Sequence, residues 1–501
     1  MKTTRNRIVV IVAALAILAG ACGQKPDVAT VAAAGGGFDA GAGGAVDGAA
    51  MGADGSGGAF GAAAPGDVSG SGDPAFGGGA AAGGTAAGAS DGAGDAAASG
   101  DAATPGDGTA PADDPAEPNG GTPGTTVPTG PGDRTGITGD TIKIGIHAPV
   151  SGAAPFPQSS FRDGAPIYWE FLKGKGGVHG RNVEVVFEDD EFDPATARRV
   201  CQKMVEQDKV FILIGGGGAD QITACAEYAN SVGVPYLSAG VNEERLSSIR
   251  AYFALSMTYT QQSPLLVQLA KNKLGGGTFA IAVADTPSFN DAQASITAEA
   301  EGAGLEIVYN KRIPKNVTPG QALAIAQELC SANDGQKADI VYILSSPVTF
   351  LNIASAAGGQ RCVPQYIGPG ITSGLNTVAA VGRDNIGAAK FLSPFPQLDV
   401  IDQLDPDFRR AAQAQGVSNP DDIALALWGL NKTLASMFIA AGNDMSRQSF
   451  VSTLESGQEF GSGVYPSVKF SATDHFGGSQ AHLLEANNGA YRTIAQFASA
   501  F

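Results

Sequence analysis

The sequence predicts an α/β protein with parallel sheets, preceded by a long segment of different composition. From residue 137 to the C-terminus, short apolar runs alternate with segments of helical periodicity, as in parallel sheets covered by helices. The clearest unit is a branched apolar run at residues 210–214, four glycines, a helix from Gln221 to Gly233 and a strand at residues 234–238. Both strands of such a unit end at one edge of the sheet, where ligands bind in open α/β sheets.

The bulk composition limits the partners of the chain. It has 501 residues, 71 of them glycine, and a formal net charge of −18 from 31 basic and 49 acidic residues. This charge argues against binding to nucleic acid and against electrostatic attachment to an anionic membrane.

The chain begins with an export signal. Three basic residues lie within the first seven, and residues 8–18 form an apolar core. Residues 18–22, Leu-Ala-Gly-Ala-Cys, resemble a bacterial lipobox, with Ala19 where leucine is usual. We therefore interpret residues 1–22 as a lipoprotein signal peptide and Cys22 as the lipidated residue. An uncleaved membrane anchor is the alternative, which the short apolar run disfavours.

Residues 23–134 are predicted to be a disordered stalk. They consist mainly of Gly, Ala, Asp, Pro, Ser and Thr, and they have too few large apolar residues to offset the entropy lost on ordering. As a random coil, a segment of this length has ends about 60 Å apart. It is either a spacer that lifts the folded part away from the membrane or neutral low-complexity sequence, and the sequence does not separate the two.

The elements of the folded part follow in order. We predict strands, from short runs of branched and aromatic residues, at residues 141–149, 183–187, 210–214, 234–238, 252–257, 278–284, 306–311, 340–344 and 365–367. Besides the helix that follows the four glycines, we predict helices, from their apolar periodicity, at residues 161–173, 195–207, 263–273, 292–302, 320–329, 350–357 and 423–441. Asp220 is a candidate N-cap, and Asp189-Asp190-Glu191 is expected to be a solvated strand end. Residues 137–501 are too long for one simple core and suit two lobes.

Four cysteines remain beyond Cys22, which suggests two disulfides in an exported protein. Cys201 and Cys225 lie on neighbouring predicted helices, whereas Cys330 ends a helix and Cys362 precedes a strand. The expected pairs are Cys201–Cys225 and Cys330–Cys362, and other pairings or free thiols remain open.

No metal site, cofactor or catalytic group is predicted. The histidines are scattered singly along the sequence, and neither a helical nor a CxxC-type ligand spacing is present. Ser151 lacks the G-x-S-x-G context of a nucleophile.

An ordered set of motifs resembles the type I periplasmic solute-binding proteins, in particular the leucine/isoleucine/valine-binding branch that serves ABC importers. The motifs are Pro149-Val150-Ser151-Gly152, Gly176-Gly177-Val178-His179-Gly180-Arg181-Asn182, Glu188-Asp189-Asp190-Glu191-Phe192-Asp193-Pro194, Ile214-Gly215-Gly216, Val234-Pro235-Tyr236-Leu237-Ser238 and Asp474-His475. Their order and spacing cover nearly all of residues 137–501.

The resemblance implies two Rossmann-like lobes joined by three crossovers, with the ligand between them. Lobe one would comprise residues 135–256 and 394–463, and lobe two residues 257–393 and 464–501. The implied function is that of a monomeric extracytoplasmic receptor, lipid-anchored to the cell membrane, which closes on a small molecule and delivers it to the membrane subunits of an ABC importer. It would not be an enzyme and would need no cofactor.

The resemblance also implies a set of ligand-binding residues, on loops at the carboxyl ends of strands. Lobe one would contribute Ser151, Gly152, Gly217, Gly218, Ala219, Asp220, Ser238, Gly240 and Asn242. Phe156 is a further candidate contact because its loop is polar and contains proline, which favours exposure, with an ordinary core residue as the alternative. Lobe two would contribute Phe289, Ser345, Ser346, Gly370 and Thr372. Backbone N–H groups of residues 218–220 and 240–242 could hold a carboxylate.

Four positions depart from the amino-acid binders of the family. Their serine, threonine and tyrosine are replaced by Ala219, Asn242 and Phe289, and the acidic residue that pairs with the ligand ammonium is replaced by Gly370. A buried ammonium needs a negative partner. We therefore expect a ligand other than an ordinary α-amino acid: a more apolar or amide-like molecule, or a carboxylate without the amine.

Three other functions remain to be compared with the receptor. A sensor of the same fold would pass the closed state to a membrane receptor and would differ only in its partner. An exported hydrolase would need a nucleophile–base pair or a metal cluster. A structural wall-associated lipoprotein would bind no small molecule.

Overall fold

The computed structural model describes residues 132–240 and 243–501. The predicted signal peptide, the lipidated Cys22, all but the last residues of the predicted stalk, and the candidate ligand contact Asn242 lie outside the described residues.

The first sheet is entirely parallel and carries the glycine-rich unit. Its strands are β1 (Thr141–Ala148), β2 (Asn182–Asp189), β3 (Ile212–Gly215), β4 (Tyr236–Ser238) and β5 (Tyr252–Ala254). They lie in the order β2-β1-β3-β4-β5. The last residues of β3 and β4 pair with each other, so the prediction that both strands end at one edge is confirmed.

The second sheet is mixed. Its strands are β6 (Thr278–Ala284), β7 (Glu306–Ile313), β8 (Ile340–Leu344), β9 (Gln365–Pro369), β10 (Lys390–Ser393), β13 (Ala481–Asn487) and β14 (Ala490–Ala498), and the intervening β11 (Ser456–Phe460) and β12 (Val468–Ser471) form a separate antiparallel pair. The order is β14-β13-β10-β9-β8-β6-β7, with only β10–β13 and β13–β14 antiparallel among its described pairs.

The hairpin of β13 and β14 was not predicted. Its two-residue loop is Asn488-Gly489, and both residues have positive φ angles, 51° and 80°. Asn-Gly between apolar runs is a strong hairpin signal because both residues adopt positive φ readily. The sequence therefore contains a signal for this hairpin. The predicted α/β class is confirmed.

Helices cover both sheets. The α-helices of the described residues are α1 (Gln158–Gly164), α2 (Ile167–Lys173), α3 (Pro194–Glu206), α4 (Ala219–Ser231), α5 (Tyr259–Asn272), α6 (Asn290–Gly302), α7 (Pro319–Ser331), α8 (Pro347–Gly359), α9 (Asn376–Gly382), α10 (Ile401–Leu404), α11 (Asp407–Ala414), α12 (Asp422–Ala441) and α13 (Arg447–Leu454). The single helix predicted for residues 161–173 is wrong, because the chain forms α1 and α2 on either side of Pro166, whose ring cannot continue a helix interior.

The helices after β10 return to the first sheet. Asn431 on α12 donates to the Ala165 carbonyl (3.1 Å), and the Arg447 guanidinium donates to the carbonyls of Val210 (2.7 Å) and Phe211 (3.1 Å) beside β3. This return of the chain is what the predicted division into lobes requires. The exact lobe boundaries stay a prediction.

Helix α12 forms much of the core. By length and composition it is apolar enough to cross a membrane, but 72% of its most apolar window is buried within the fold. Trp428 lies near its centre and donates to Asp405 at 2.8 Å. Its apolar character on all sides therefore fits a buried core helix.

The four cysteines are paired in the structure as expected from the sequence. Cys201 on α3 is bonded to Cys225 on α4, and Cys330 on α7 is bonded to Cys362 just before β9. Because α3 and α4 flank β3, the first disulfide ties together the two helices on either side of the glycine-rich loop.

Candidate ligand-binding cleft

A cleft lies where strands of the two sheets end. The empty space in it is about 850 Å³ when it is counted out to the open solvent. The wall on the first-sheet side includes Phe192, Gly217, Gly218, Ala219, Asp220, Gln221 and Gly240. The wall on the second-sheet side includes Ala284, Thr286, Phe289, Lys315, Leu344, Ser345, Ser346, Pro369, Gly370, Ile371 and Thr372.

The glycine-rich loop after β3 is glycine for steric reasons. A Cβ on Gly215 would overlap the His147 ring and the Tyr236 hydroxyl, and one on Gly217 would overlap the Phe156 ring. The backbone therefore lies directly on these aromatic side chains. A side chain at Gly215 or Gly217 would therefore require the loop or these rings to move.

The buried side chain of His147 supports this loop from the core of the protein. The fully buried His147 is bonded through Nδ1 to Asp190 Oδ2 (2.8 Å) and through Nε2 to the Tyr236 hydroxyl (2.7 Å). Burial raises the pKa of Tyr236 well above its usual value, and the Tyr252 hydroxyl and Asp190 add to that rise. The prediction that Asp190 is part of a solvated strand end is wrong, because its carboxylate is the partner of His147.

Asp220 joins the two sides of the cleft. It projects from α4, and its Oδ1 accepts from Thr286 Oγ1 (2.7 Å) and Ser288 Oγ (2.8 Å), both in the loop after β6. Its Oδ2 accepts from Lys315 Nζ, which follows β7. Burial alone would raise the pKa of Asp220, but the bonds from Lys315, Thr286 and Ser288 outweigh it and lower that pKa. We call this set of four side chains the Asp220 bridge.

The prediction that Asp220 caps its helix is wrong. Gly218 is the N-cap, no side chain caps the helix, and Asp220 lies within the first turn. Its carboxylate points across the cleft because three donors there compensate its burial better than the helix N–H groups alone. Lys315 also lies over the Phe192 ring, 5.4 Å from its centroid, which adds a second contact between the walls.

The far wall carries the predicted residues of the second lobe. Ser345 and Ser346 lie between β8 and α8, and Ser346 Oγ caps α8 by accepting from Thr349 N (3.2 Å). Phe289 packs edge-on against Tyr259, with ring centroids 5.5 Å apart. Gly370 follows β9 directly, where its N–H donates to the Leu392 carbonyl (2.6 Å).

Four of the predicted site residues are not on the cleft wall, and a fifth lies outside the described residues. Ser151 bonds to Asp189 Oδ2 (2.6 Å), and Gly152 packs on the Glu191 backbone, outside the cleft. Ser238 is fully buried and accepts from Gly240 N (3.2 Å). Phe156 lines a neighbouring chamber, and Asn242 is not described. The other ten predicted residues line the cleft: Gly217, Gly218, Ala219, Asp220, Gly240, Phe289, Ser345, Ser346, Gly370 and Thr372.

Several residues on the wall were missed by sequence reasoning: Phe192, Gln221, Tyr259, Gln262, Lys315 and Gln480. For Lys315 a signal existed, because it lies in the segment after the strand predicted at residues 306–311, at the sheet edge where ligands bind. For Gln221 the sequence predicts only the start of a helix. Gln480 lies far from the motifs in sequence and gave no signal.

An apolar chamber continues from the cleft. It shares Gly217, Gly240, Ile371 and Thr372 with the cleft and encloses about 630 Å³ of empty space, again counted out to solvent. Its other walls are mainly apolar and include Phe156, Phe161, Leu375, Phe395, Ile423, Leu427 and Leu430. An apolar part of a ligand in the cleft could extend into it.

A buried carboxyl group sits behind the loop that carries Thr372. Asp422 Oδ2 accepts from Asn376 N (2.6 Å) and Gln397 Nε2 (3.2 Å), and Gln397 Nε2 also donates to the Gly374 carbonyl (2.9 Å). Burial raises the pKa of Asp422 to about 6, although the bond from Asn376 opposes this. The group ties the start of α12 to the segment after β10 and to the wall of the cleft.

Among residues 132–240 and 243–501, three side chains have the spacing of a metal site: His147, Cys201 and Cys225. Both sulfurs are bonded to each other in the disulfide, and His147 is bonded to Asp190 and Tyr236. As paired here, these atoms are not available to a metal ion.

The comparisons with known proteins agree with this geometry. A family model described as periplasmic binding protein matches residues 141–490. An amino acid binding protein of Pseudomonas aeruginosa is 28% identical over 100 residues, and the leucine-, isoleucine-, valine-, threonine- and alanine-binding protein of the same species is 35% identical over 77 residues. The chain spans about a quarter of the length of these curated relatives, 26% and 21%.

Solved structures share the whole fold. The substrate-binding protein LivJ of Streptococcus pneumoniae, in complex with isoleucine, has a TM-score of 0.60 at 19% identity, over 71% of this chain and 100% of that one. A solute-binding protein of an ABC transporter from R. palustris, in complex with 4-hydroxybenzoate, has a TM-score of 0.60 at 18% identity, over 72% and 96%.

The fold and the cleft define a type I periplasmic binding protein. The chain belongs to the periplasmic binding protein family, and its resemblance to the branched-chain amino acid branch is confirmed.

The glycine at position 370 leaves no room for the acidic residue of the amino-acid binders. A Cβ there would overlap Phe391 Cβ and lie 3.0 Å from the Leu392 carbonyl oxygen. We expect Gly370→Glu to lower the free energy of unfolding by about 1–3 kcal/mol through overpacking, without creating leucine binding. Urea unfolding and calorimetric titration with leucine measure both effects. Gly359→Glu is the control, since a Cβ at Gly359 meets no atom within 4 Å; equal stability of the two variants would contradict the prediction.

The raised pKa of Asp422 predicts a pH effect on stability. The folded pKa of about 6 lies above the ordinary value of 3.8, so the folded state binds the proton more tightly and this group lowers stability as pH rises from about 4 to about 6. Asp422→Asn keeps an acceptor and abolishes the titration. The free energy of unfolding of Asp422→Asn minus that of the wild type should therefore increase by up to about 3 kcal/mol between pH 4 and pH 7.

Chemical unfolding at a series of pH values tests this expectation. Asp402→Asn removes an exposed carboxylate and controls for the change in net charge. A difference between Asp422→Asn and the wild type that stays constant with pH would disprove the assignment.

Proposed function

We propose that the protein is an extracytoplasmic solute-binding receptor of an ABC importer, which holds a small molecule between two lobes and closes on it. The observation that carries this proposal is the cleft at the strand ends of two sheets, spanned by the Asp220 bridge in a family of solute-binding proteins. A ligand that contacts both walls stabilises the closed form in proportion to its extra contacts there. The importer would recognise that closed form.

The proposed location is the outer side of the cell membrane, with Cys22 as the lipid anchor. The sequence of residues 18–22 and the long polar segment that follows support this proposal. We also propose that the receptor acts as a monomer, and that the lobes correspond to residues 135–256 with 394–463 and to residues 257–393 with 464–501.

The proposed ligand lacks an α-ammonium group. Among the described residues on the cleft wall, Asp220 is the only acidic one, and it is already engaged by Lys315, Thr286 and Ser288. An ammonium ion would have to displace a charged partner to gain a counter-ion, which costs the energy of that pair. Similar structures from R. palustris hold benzoate, 4-hydroxybenzoate and 3,4-dihydroxybenzoic acid, all of which lack an amine.

The neighbouring chamber supports a ligand with an apolar part. Its walls come from Phe156, Phe161, Ile423 and Leu427, and burial of apolar surface there would contribute about 25 cal/mol per Å². An amide-like or apolar molecule and a carboxylate without an amine both fit the cleft and the chamber together.

A thermal-shift screen tests the function. The purified protein would be heated with amino acids, amides, short-chain and aromatic acids, sugars and lipid-like acids. A ligand at a hundredfold its dissociation constant stabilises the folded state by about 3 kcal/mol, which raises the melting temperature by several degrees. We expect a shift with a compound that lacks an α-ammonium and none with leucine or valine. Micromolar binding of leucine or valine would refute the proposed ligand class, and no shift across the panel would favour a structural role instead.

A further inference from the structure

Gln221 has an unusual environment on the cleft wall. It is the third residue of α4 and is 0% exposed. Within the described part of the chain, neither its Nε2 nor its Oε1 has a hydrogen-bond partner. The amide lies against Gly218, where a Cβ would overlap Oε1. An unpaired donor and an unpaired acceptor thus lie together at the loop that forms the cleft wall.

Leaving such an amide unpaired is costly. A buried polar group without a partner destabilises the folded state by about 1–3 kcal/mol. Two other buried glutamines of the structure are bonded: Gln262 on the cleft wall donates to the Met257 carbonyl (2.9 Å), and Gln397 bonds through both of its amide atoms. Other described residues, such as Asn431 and Asp422, also have a buried atom without a partner, but among these residues only Gln221 lines the cleft. A bound ligand is the partner that this position provides.

The charges around the cleft limit the chemistry of that ligand. Of the described wall residues, the charged ones are Asp220 and Lys315, and they are paired with each other. A ligand that meets Gln221 without breaking this pair finds no unpaired counter-charge among the described side chains of the wall, which favours an uncharged ligand. The first turn of α4 adds N–H donors beside the amide, since the helix has no side-chain cap.

We propose that Gln221 is the specificity-determining residue of the cleft and binds the primary amide group of an uncharged R–CONH2 ligand. The inference rests on the proposed function and narrows its ligand class. Gln221 Nε2 donates to the amide oxygen of the ligand, and Gln221 Oε1 accepts from its NH2 group, so both unpaired atoms gain a partner. A carboxylate would satisfy Nε2 alone and would place negative charge against Oε1. The R group is apolar and extends past Gly217 into the chamber lined by Phe156.

The Asp220 bridge controls access to this amide. Asp220 is the chain neighbour of Gln221, and its bonds to Thr286 and Ser288 hold the second-sheet loops against the start of α4. Opening the bridge exposes Gln221 to a ligand from solvent, and reforming it buries the amide pair away from water.

Calorimetric titration of the whole protein with matched pairs of compounds tests the assignment. The pairs are benzamide with benzoate, and isovaleramide with isovalerate. We expect at least one amide to bind the wild type at least tenfold more tightly than its acid. Gln221→Met should weaken the binding of that amide by at least tenfold. Gln221→Glu should do the same, because it loses the N–H donor to the amide oxygen of the ligand.

The unliganded variants provide a second readout. Gln221→Met removes an unpaired buried amide, so it should melt no lower than the wild type. Gln262→Met removes a glutamine whose amide is bonded, so it should melt lower. A merely structural role for Gln221 would make the two variants alike.

Three results would overturn the assignment: no binding of either amide, tighter binding of the acids, or unchanged amide affinity in Gln221→Met. Acid binding that is tighter than amide binding and equal in the wild type and Gln221→Met would disprove the amide assignment, but the protein would still be a solute receptor. The receptor itself would fall only if the broad thermal-shift panel also produced no ligand.

Discussion

The geometry of the cleft depends on the Asp220 bridge. The carboxylate of Asp220 leaves the first turn of α4 on the first sheet and meets Thr286, Ser288 and Lys315, which follow β6 and β7 of the second sheet. One side chain of the first sheet's helix α4 thus bonds to the segments that follow β6 and β7, two neighbouring strands of the second sheet. Because an ion pair with two further hydrogen bonds forms only when the walls approach, it contributes stability to the closed arrangement alone.

The first wall is rigid for a different reason. His147 is held between Asp190 and Tyr236 in the core, and the glycines after β3 lie directly on these rings. The disulfide between Cys201 and Cys225 ties the helices on either side of that loop. The loop is therefore fixed against α4, so a change at Asp220 affects the approach of the walls rather than the shape of the first wall.

The sequence predicted much of this arrangement because the features involved are local. The alternation of strands and helices, the glycines after β3 and the position of Asp220 follow from runs of neighbouring residues. The partners of Asp220 could not be predicted in the same way: Lys315 lies 95 residues away, and its meeting with Asp220 depends on how the two sheets pack. The same limit applied to Asp190, whose partner His147 is 43 residues away, and to Asp220 as a helix cap, where tertiary contacts replaced the local preference. The Asn488-Gly489 hairpin, by contrast, was a local signal that went unused.

The most direct measurement is the distance between the two walls in solution, without ligand. Spin labels at Glu227→Cys on α4 and Glu299→Cys on α6, in a chain that also carries Cys22→Ser, report this distance by electron paramagnetic resonance. Both side chains are exposed, and the other four native cysteines are paired in disulfides. If the Asp220 bridge holds the cleft, the wild type gives one short distance, and Lys315→Met, which keeps the apolar stem but removes the charge, shifts the distribution to longer distances. An identical distribution in the wild type and Lys315→Met would contradict the role of the bridge.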